Sequence, residues 1–251
     1  MGKTLVFANQ KGGVGKTTTA VNLGAYLAEE GKKVLLVDFD PQGNLSSSVG
    51  VKKNAEGVYE SLTGTIAMKS VIRKTPVQGM SIVASGINLA GASVELVDKK
   101  GRAFYLKKIL APIKDSFDYI FVDCPPSLGI LTLNGLAAAD SVIIPLQCEY
   151  FALEGLSMLL DTVKKIQAGI NPSLDISGIL FTMYDSRTRL SNDVVKEVVK
   201  HFGKKVFKTI IPRNVRLSEA PSHAVPINLY DAESLGAKSY KLLAAEVISR
   251  G

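Results

Sequence analysis

Two cysteines in 251 residues, Cys124 and Cys148, are too few for a disulfide framework and point to a reducing compartment. No C-x-x-C pair is present, and the two histidines, His201 and His223, are isolated and lack metal-ligand spacing. No run approaches the roughly 18–20 apolar residues of a transmembrane helix. The first apolar stretch, Leu5–Ala8, is too short for the core of a signal peptide and leads straight into a Gly/Lys-rich loop, so a cytoplasmic protein is expected. Low-complexity tracts, internal repeats and Pro/Ser-rich linkers are all missing, so residues 1–251 are expected to form one domain. Charged residues make up 21% of the chain and apolar ones 46%, which excludes bulk disorder and allows a sizeable core.

What is present is a regular alternation. Thr4–Ala8, Val34–Val37, Ser81–Ala84, Tyr119–Val122, Ser141–Pro145, Ile176–Thr182 and Val206–Ile211 read as strands. Several are continuously apolar, as strands buried on both faces of a parallel sheet are. Helical patterns fall between them near 16–30, 101–110, 129–139, 151–168, 190–202 and 233–249. Ala20, Leu23, Gly24 and Leu27 share a face of the first, and Gly31 ends it. Residues 44–75 are less periodic and are expected to form small helices and loops at one edge. The repetition predicts an α/β fold: a mostly parallel, twisted sheet with helices on both faces.

Lys11-Gly12-Gly13-Val14-Gly15-Lys16-Thr17-Thr18 follows the first strand directly and opens the first helix. Glycines there let backbone N–H groups converge on phosphate oxygens, and the helix N-terminus adds a favourable dipole. Lys16 supplies a point charge for β- and γ-phosphates, and the Thr17 hydroxyl is placed to ligate Mg²⁺. The strict G-x-x-x-x-G-K-[ST] spacing fails, because its first glycine falls at Gln10; Lys11 and the Gly12–Gly13 pair take its place. The expectation is a single-domain P-loop NTPase fold.

Such a loop needs a carboxylate for the metal and a group to orient the attacking water. Tyr119–Asp123 is an apolar strand ending in an acid, which marks Asp123 as a holder of Mg²⁺, directly or through water. Leu35–Asp40 is a second such strand, whose Asp38 and Asp40 lie two apart and face the same way on an extended chain. All three acids fall at the carboxyl ends of strands, where open parallel sheets bind ligands. Asp38 and Asp40 are thus candidate catalytic acids, and Asp40 a second candidate metal ligand. Capping of a helix around Asn44 is the alternative role for either.

The net charge of +7 is concentrated. Residues 187–216 hold nine basic residues and two acids, which is the whole surplus, and the rest of the chain is neutral. Taken singly, Lys196, Lys200, Lys204 and Lys205 suit a solvated helix face. As a window they form the electrostatic footprint of a nucleic-acid surface. No helix-turn-helix pattern, zinc-ligand set or stacking-aromatic motif accompanies them, so phosphate-dominated binding without base readout is expected.

These segments together resemble the ParA/Soj family of chromosome and plasmid partition ATPases, within a wider deviant-Walker group that includes MinD. The resemblance runs the whole length: the 11–18 loop, V-D-F-D-P-Q-G-N at 37–44, D-C-P-P-S-L-G at 123–129, Q-C-E-Y-F-A-L-E-G-L at 147–156 and I-P-R-N-V-R-L-S-E-A-P-S at 211–222. It implies an ATP- and Mg²⁺-dependent ATPase that forms an ATP-dependent homodimer. In it Lys11 reaches the partner subunit's nucleotide, and Gly12 sits where the two backbones approach closely. Asp40 positions the hydrolytic water, and Pro212 and Asn214 contact adenine. Arg187 and Arg216 match positions that resemble the family's DNA-contacting arginines; Arg189, Lys200 and Lys204 join them from the basic window as candidate contacts to non-specific double-stranded DNA, and association with the nucleoid is expected. A ParB-type centromere-binding protein stimulates slow hydrolysis and so releases the DNA. A MinD-like membrane ATPase is the alternative. It requires a basic amphipathic tail, and residues 240–251 read instead as an ordinary helix. A kinase or synthetase on the same loop would need an acceptor pocket, for which no motif is present.

Overall fold

Successive residues of each strand point to opposite faces of the sheet, and here both sets are apolar. Leu5, Phe7, Val34, Leu36 and Phe121 join one buried cluster, while Val6, Ala8, Leu35, Val37 and Val122 join another. A sheet apolar on both faces must be covered twice, and it is. The computed structural model describes residues 2–52 and 56–250. Its strands are β1 (Lys3–Phe7), β2 (Val34–Asp38), β3 (Ile72–Lys74), β4 (Met80–Val83), β5 (Tyr119–Asp123), β6 (Ser141–Gln147) and β7 (Asp175–Thr182), in the order β3-β4-β2-β5-β1-β6-β7. Every pairing is parallel except β3 with β4 at one edge.

One face is covered by α1 (Lys16–Glu29), α2 (Asn44–Ser48) and, from the C-terminal part, α9 (Val215–Glu219), α10 (Ile227–Tyr230) and α11 (Leu235–Ser249). The other carries α3 (Val58–Thr63), α4 (Leu89–Glu95), α5 (Tyr105–Leu110), α6 (Ile130–Ala138), α7 (Ala152–Gly169) and α8 (Arg189–Phe202). Two helices lie so close to the sheet that a side chain has no room. A Cβ on Gly24 of α1 would meet Leu36 at 3.1 Å, and one on Gly135 of α6 would meet the Cys124 sulfur at 2.6 Å. Cys124 and Cys148 are free, buried thiols, and burial raises the pKa of both.

Two expectations are corrected. Val206–Ile211 forms no ladder strand. Only Val206 bridges Ile179, because the Lys208 and Thr209 N–H groups donate to the Glu246 carboxylate of α11 at 2.8 and 2.9 Å instead. The helix expected near 101–110 begins only at Tyr105, after a turn with Gly101 at φ +71°. The parallel strands end at one edge, where Asp123 lies in register with Phe7 on one side and Asp38 on the other. That edge carries the site.

Candidate functional site

The loop after β1 reaches α1 through two glycines with positive φ, Gly13 at +72° and Gly15 at +85°. Gly15 is the N-cap of α1; being glycine it offers no side-chain cap, and no acid stands in the first turn. The helix therefore presents its positive end without an internal anion. Asn9, just past β1, fixes the start of the loop: its Oδ1 accepts from Lys11 N–H at 3.0 Å and its Nδ2 donates to the Pro145 carbonyl at 2.8 Å. On the other side the Thr182 hydroxyl, at the end of β7, donates to the Val14 carbonyl at 2.8 Å. The loop is braced from two strands.

Lys16 is buried, and its Nζ donates to the carbonyls of Asn9 and Lys11, both at 3.1 Å. An ammonium has three N–H groups, so one remains for a further acceptor. Burial lowers its pKa, against the opposing pull of Asp123. Beside it the Thr17 hydroxyl donates to Asp123 Oδ2 at 2.6 Å, while Asp123 Oδ1 is buried with no hydrogen-bond partner. Burial, and then the neighbouring charge of Asp38, push Asp123 up to about 8. An ionised carboxylate is held here at a cost, and a cation would relieve it.

Asp38 and Asp40 diverge. Asp38 is fully buried and turned into the fold: its Oδ2 accepts from both the N–H (2.8 Å) and the hydroxyl (2.7 Å) of Ser46 in α2. Burial raises it to about 6. It does not line the cleft, and its role in the structure is to hold α2. Asp40 does line it, with Oδ1 accepting from Gln42 N–H at 3.0 Å. The cleft, about 750 Å³, is lined by Gly12, Gly13, Gly15, Lys16, Thr17 and Thr18 from the loop, by Gln42 and Ser47, and by Thr182, Met183, Pro212, Arg213 and Asn214. That size suits a nucleotide. Val14 is buried beneath the loop, and Lys11 turns away to pair with Glu149. Asn214 Oδ1 caps α9 by accepting from Leu217 N–H, which leaves its amide N–H₂ as the free group.

Several residues that build the site escaped the sequence. Asn9 could have been suspected as a polar residue between a buried strand and the loop. Thr182, and Met183 with its φ of +49°, lie far along the chain from the loop and are brought to it by the β6–β7 pairing.

The basic window is not one surface. Arg187 follows β7 near the cleft. Lys204 and Lys205 lie past the far end of α8, where Lys205 pairs with Asp175 at the start of β7. The 14 residues of α8 separate the two ends by about 20 Å. Acids outside the window also fold against it: Asp185 binds Arg187 bidentately, and Glu219 and Asp231 hold Arg216. Within the window Arg189 pairs with Asp193, and Lys200 with Glu197. Arg213 faces the nucleotide cleft. Arg187, Arg189 and Arg216 remain exposed at the end of the molecule that carries the cleft; Lys200 and Lys204 lie toward the other end of α8.

Comparisons with known proteins agree with this geometry. A family model described as an AAA domain matches residues 2–176. The chain is 64% identical to the chromosome-partitioning ATPase Soj of Treponema pallidum, covering all of this chain and 98% of that one. It is 54% identical to the sporulation initiation inhibitor protein Soj of Bacillus subtilis over the whole of both. Among solved structures, cobyrinic acid a,c-diamide synthase from Mycobacterium smegmatis with bound ADP and magnesium superposes with a TM-score of 0.86 at 41% identity, covering 98% of this chain and 93% of that one.

Proposed function

This chain belongs to the Soj/ParA family of chromosome-partitioning ATPases, and from that premise we propose that it is an ATP-operated switch for moving DNA, its affinity for the duplex set by nucleotide state. The observation that carries the reading is the pairing of Thr17 with a buried Asp123 whose second oxygen has no partner, beneath an uncapped helix N-terminus at the mouth of a nucleotide-sized cleft. Among the described residues no cluster of three or more His, Cys, Asp or Glu forms a metal cage. That matches Mg²⁺, which takes few protein ligands and keeps waters and phosphates. Thr17 and Asp123, with Asp40 at the cleft edge, would hold it, and when bound it neutralises charge on the β- and γ-phosphate oxygens.

The protein groups divide the rest of the work. Backbone N–H groups of Gly13–Thr18 cradle the phosphates, and the spare N–H of Lys16 reaches a β/γ oxygen. Asp40 orients the attacking water in line with the γ-phosphate. Pro212 packs on adenine and the Asn214 amide donates to a ring nitrogen. Lys11 crosses to the nucleotide of a second copy, so that ATP joins two subunits and doubles the exposed arginines facing one duplex. A ParB-type partner accelerates hydrolysis and ends the bound state.

Among the described residues no helix is long and apolar enough to cross a membrane. The last helix, α11, spends Tyr240, Leu243, Ala244 and Val247 on the core, which disfavours a MinD-like lipid contact through that segment. Co-sedimentation with DNA and with liposomes, each with ATP, separates the two readings. Asp40→Ala is expected to bind ATP, fail to hydrolyse it and stay on DNA. Hydrolysis at the wild-type rate by that variant would remove Asp40 from the role.

A further inference from the structure

Lys11 is held in a way that the proposed reaction does not require. Its backbone is pinned at both ends: the N–H donates to Asn9 Oδ1 at 3.0 Å, and the carbonyl accepts from Lys16 Nζ at 3.1 Å. Only its side-chain torsions are free to decide where the ammonium goes. In the single chain it goes to Glu149, 138 residues away in sequence, with which it makes a direct hydrogen-bonded ion pair. Glu149 is itself fixed, in a turn just past β6, with its N–H bonded to Gln147 O and its carbonyl to Ala152 N–H. The pair spans the carboxyl ends of the neighbouring strands β1 and β6, over the phosphate loop.

We propose that Glu149 is a latch that holds Lys11 within its own subunit and so sets the threshold for ATP-dependent self-association. The proposal rests on the reading above, in which Lys11 must leave its own subunit to reach a second nucleotide. A Lys11 side chain that crosses to a second subunit leaves the carboxylate it holds in its own, so each subunit opens its ion pair as the contact across subunits forms. The position of the latch agrees with this. Glu149 is followed at once by Tyr150 and Phe151, 77% and 67% exposed and packed edge to face on each other with ring centroids 5.0 Å apart. A pair of exposed aromatics beside the loop mouth is the kind of surface a second copy would bury, placing the latch at the edge of that contact. Both members of the ion pair are about half exposed, 47% and 43%. The bias is therefore modest, about two- to five-fold per pair. Two latches open per dimer, so their effects multiply.

The test is Glu149→Gln, which keeps the shape and removes the charge. Sedimentation equilibrium with ATP should show a dimer about four- to twenty-five-fold tighter than wild type. Binding of a fluorescent ATP analogue to the dilute monomer should change less than about twofold, because Glu149 does not line the cleft. Without nucleotide, acylation of the Lys11 amine by a water-soluble succinimidyl ester, read by mass spectrometry, should be faster in the variant. Added salt should narrow the gap between the two proteins by screening the wild-type pair. Equal or weaker self-association of Glu149→Gln, against a wild type that does dimerise, overturns the latch. A wild type that stays monomeric with ATP at every concentration overturns instead the reading on which it rests.

Discussion

The phosphate loop and the basic window are both contiguous in sequence, yet folding treats them oppositely. Residues 11–18 keep their meaning in three dimensions, because a strand, a tight turn and a helix N-terminus are one local unit whose backbone is the binding group. Residues 187–216 do not. A 14-residue helix carries their charges to opposite ends of the molecule, and acids from elsewhere in the chain fold against them. Net charge over a sequence window is a sum along the chain, whereas a duplex meets charges only by place.

The comparison can be broken most directly at the loop. Lys16→Ala removes a charged donor from a buried site and should weaken ATP binding roughly ten- to a hundredfold, measured by titration calorimetry. A change under threefold would mean that the loop is not the phosphate site. Within the window, Arg187→Ala or Arg216→Ala should each weaken ATP-dependent DNA binding several-fold and reduce the salt slope by about 0.9. Lys204→Ala, at the far end, should change affinity less than about twofold. Equal losses at both ends would restore the window as one surface.

A smaller effect follows from the raised carboxyls. Asp38 at about 6 and Asp123 at about 8 hold protons in the folded chain that they lose near pH 4 when unfolded. The nucleotide-free protein should therefore lose stability as pH rises from about 4 to 8. Asp123→Asn should flatten that slope and raise the melting temperature near pH 8 by several degrees. Adding ATP and Mg²⁺ should reverse the order, because the Asp123 carboxylate offers the ion a negative charge that the neutral amide of the variant does not. The smallest effect on the fold belongs to Gly12→Ala. The added carbon meets nothing closer than Pro126 at 3.8 Å, so the melting temperature should hardly move, and any loss of self-association reports on a partner rather than on this chain.

The sheet was largely legible because strands buried on both faces leave continuous apolar runs, and six of the seven predicted strands stand in the fold. Val206–Ile211 misled because its apolar residues do pack, Phe207 and Ile211 into the core, while its backbone bonds go to Glu246 and to isolated positions on β7. Short elements such as β3, α4, α9 and α10 carry too few residues for a period to show. In the site, Lys16, Thr17 and Asp123 could be named because Lys16 opens a helix, Thr17 follows it and Asp123 ends a strand. The divergence of Asp38 from Asp40 could not be foreseen, since it depends on Ser46 of α2 donating its N–H and hydroxyl to the first of them.

By itself the sequence determined the order of strands and helices, the phosphate loop and the acid beside it, because backbone geometry and hydrophobic period are local properties. Only the tertiary structure decided which carboxylate faces the cleft, which arginines stand near it, and that Lys11 is held by Glu149. Those are contacts between residues far apart along the chain, and strand order, not spacing, brings them together.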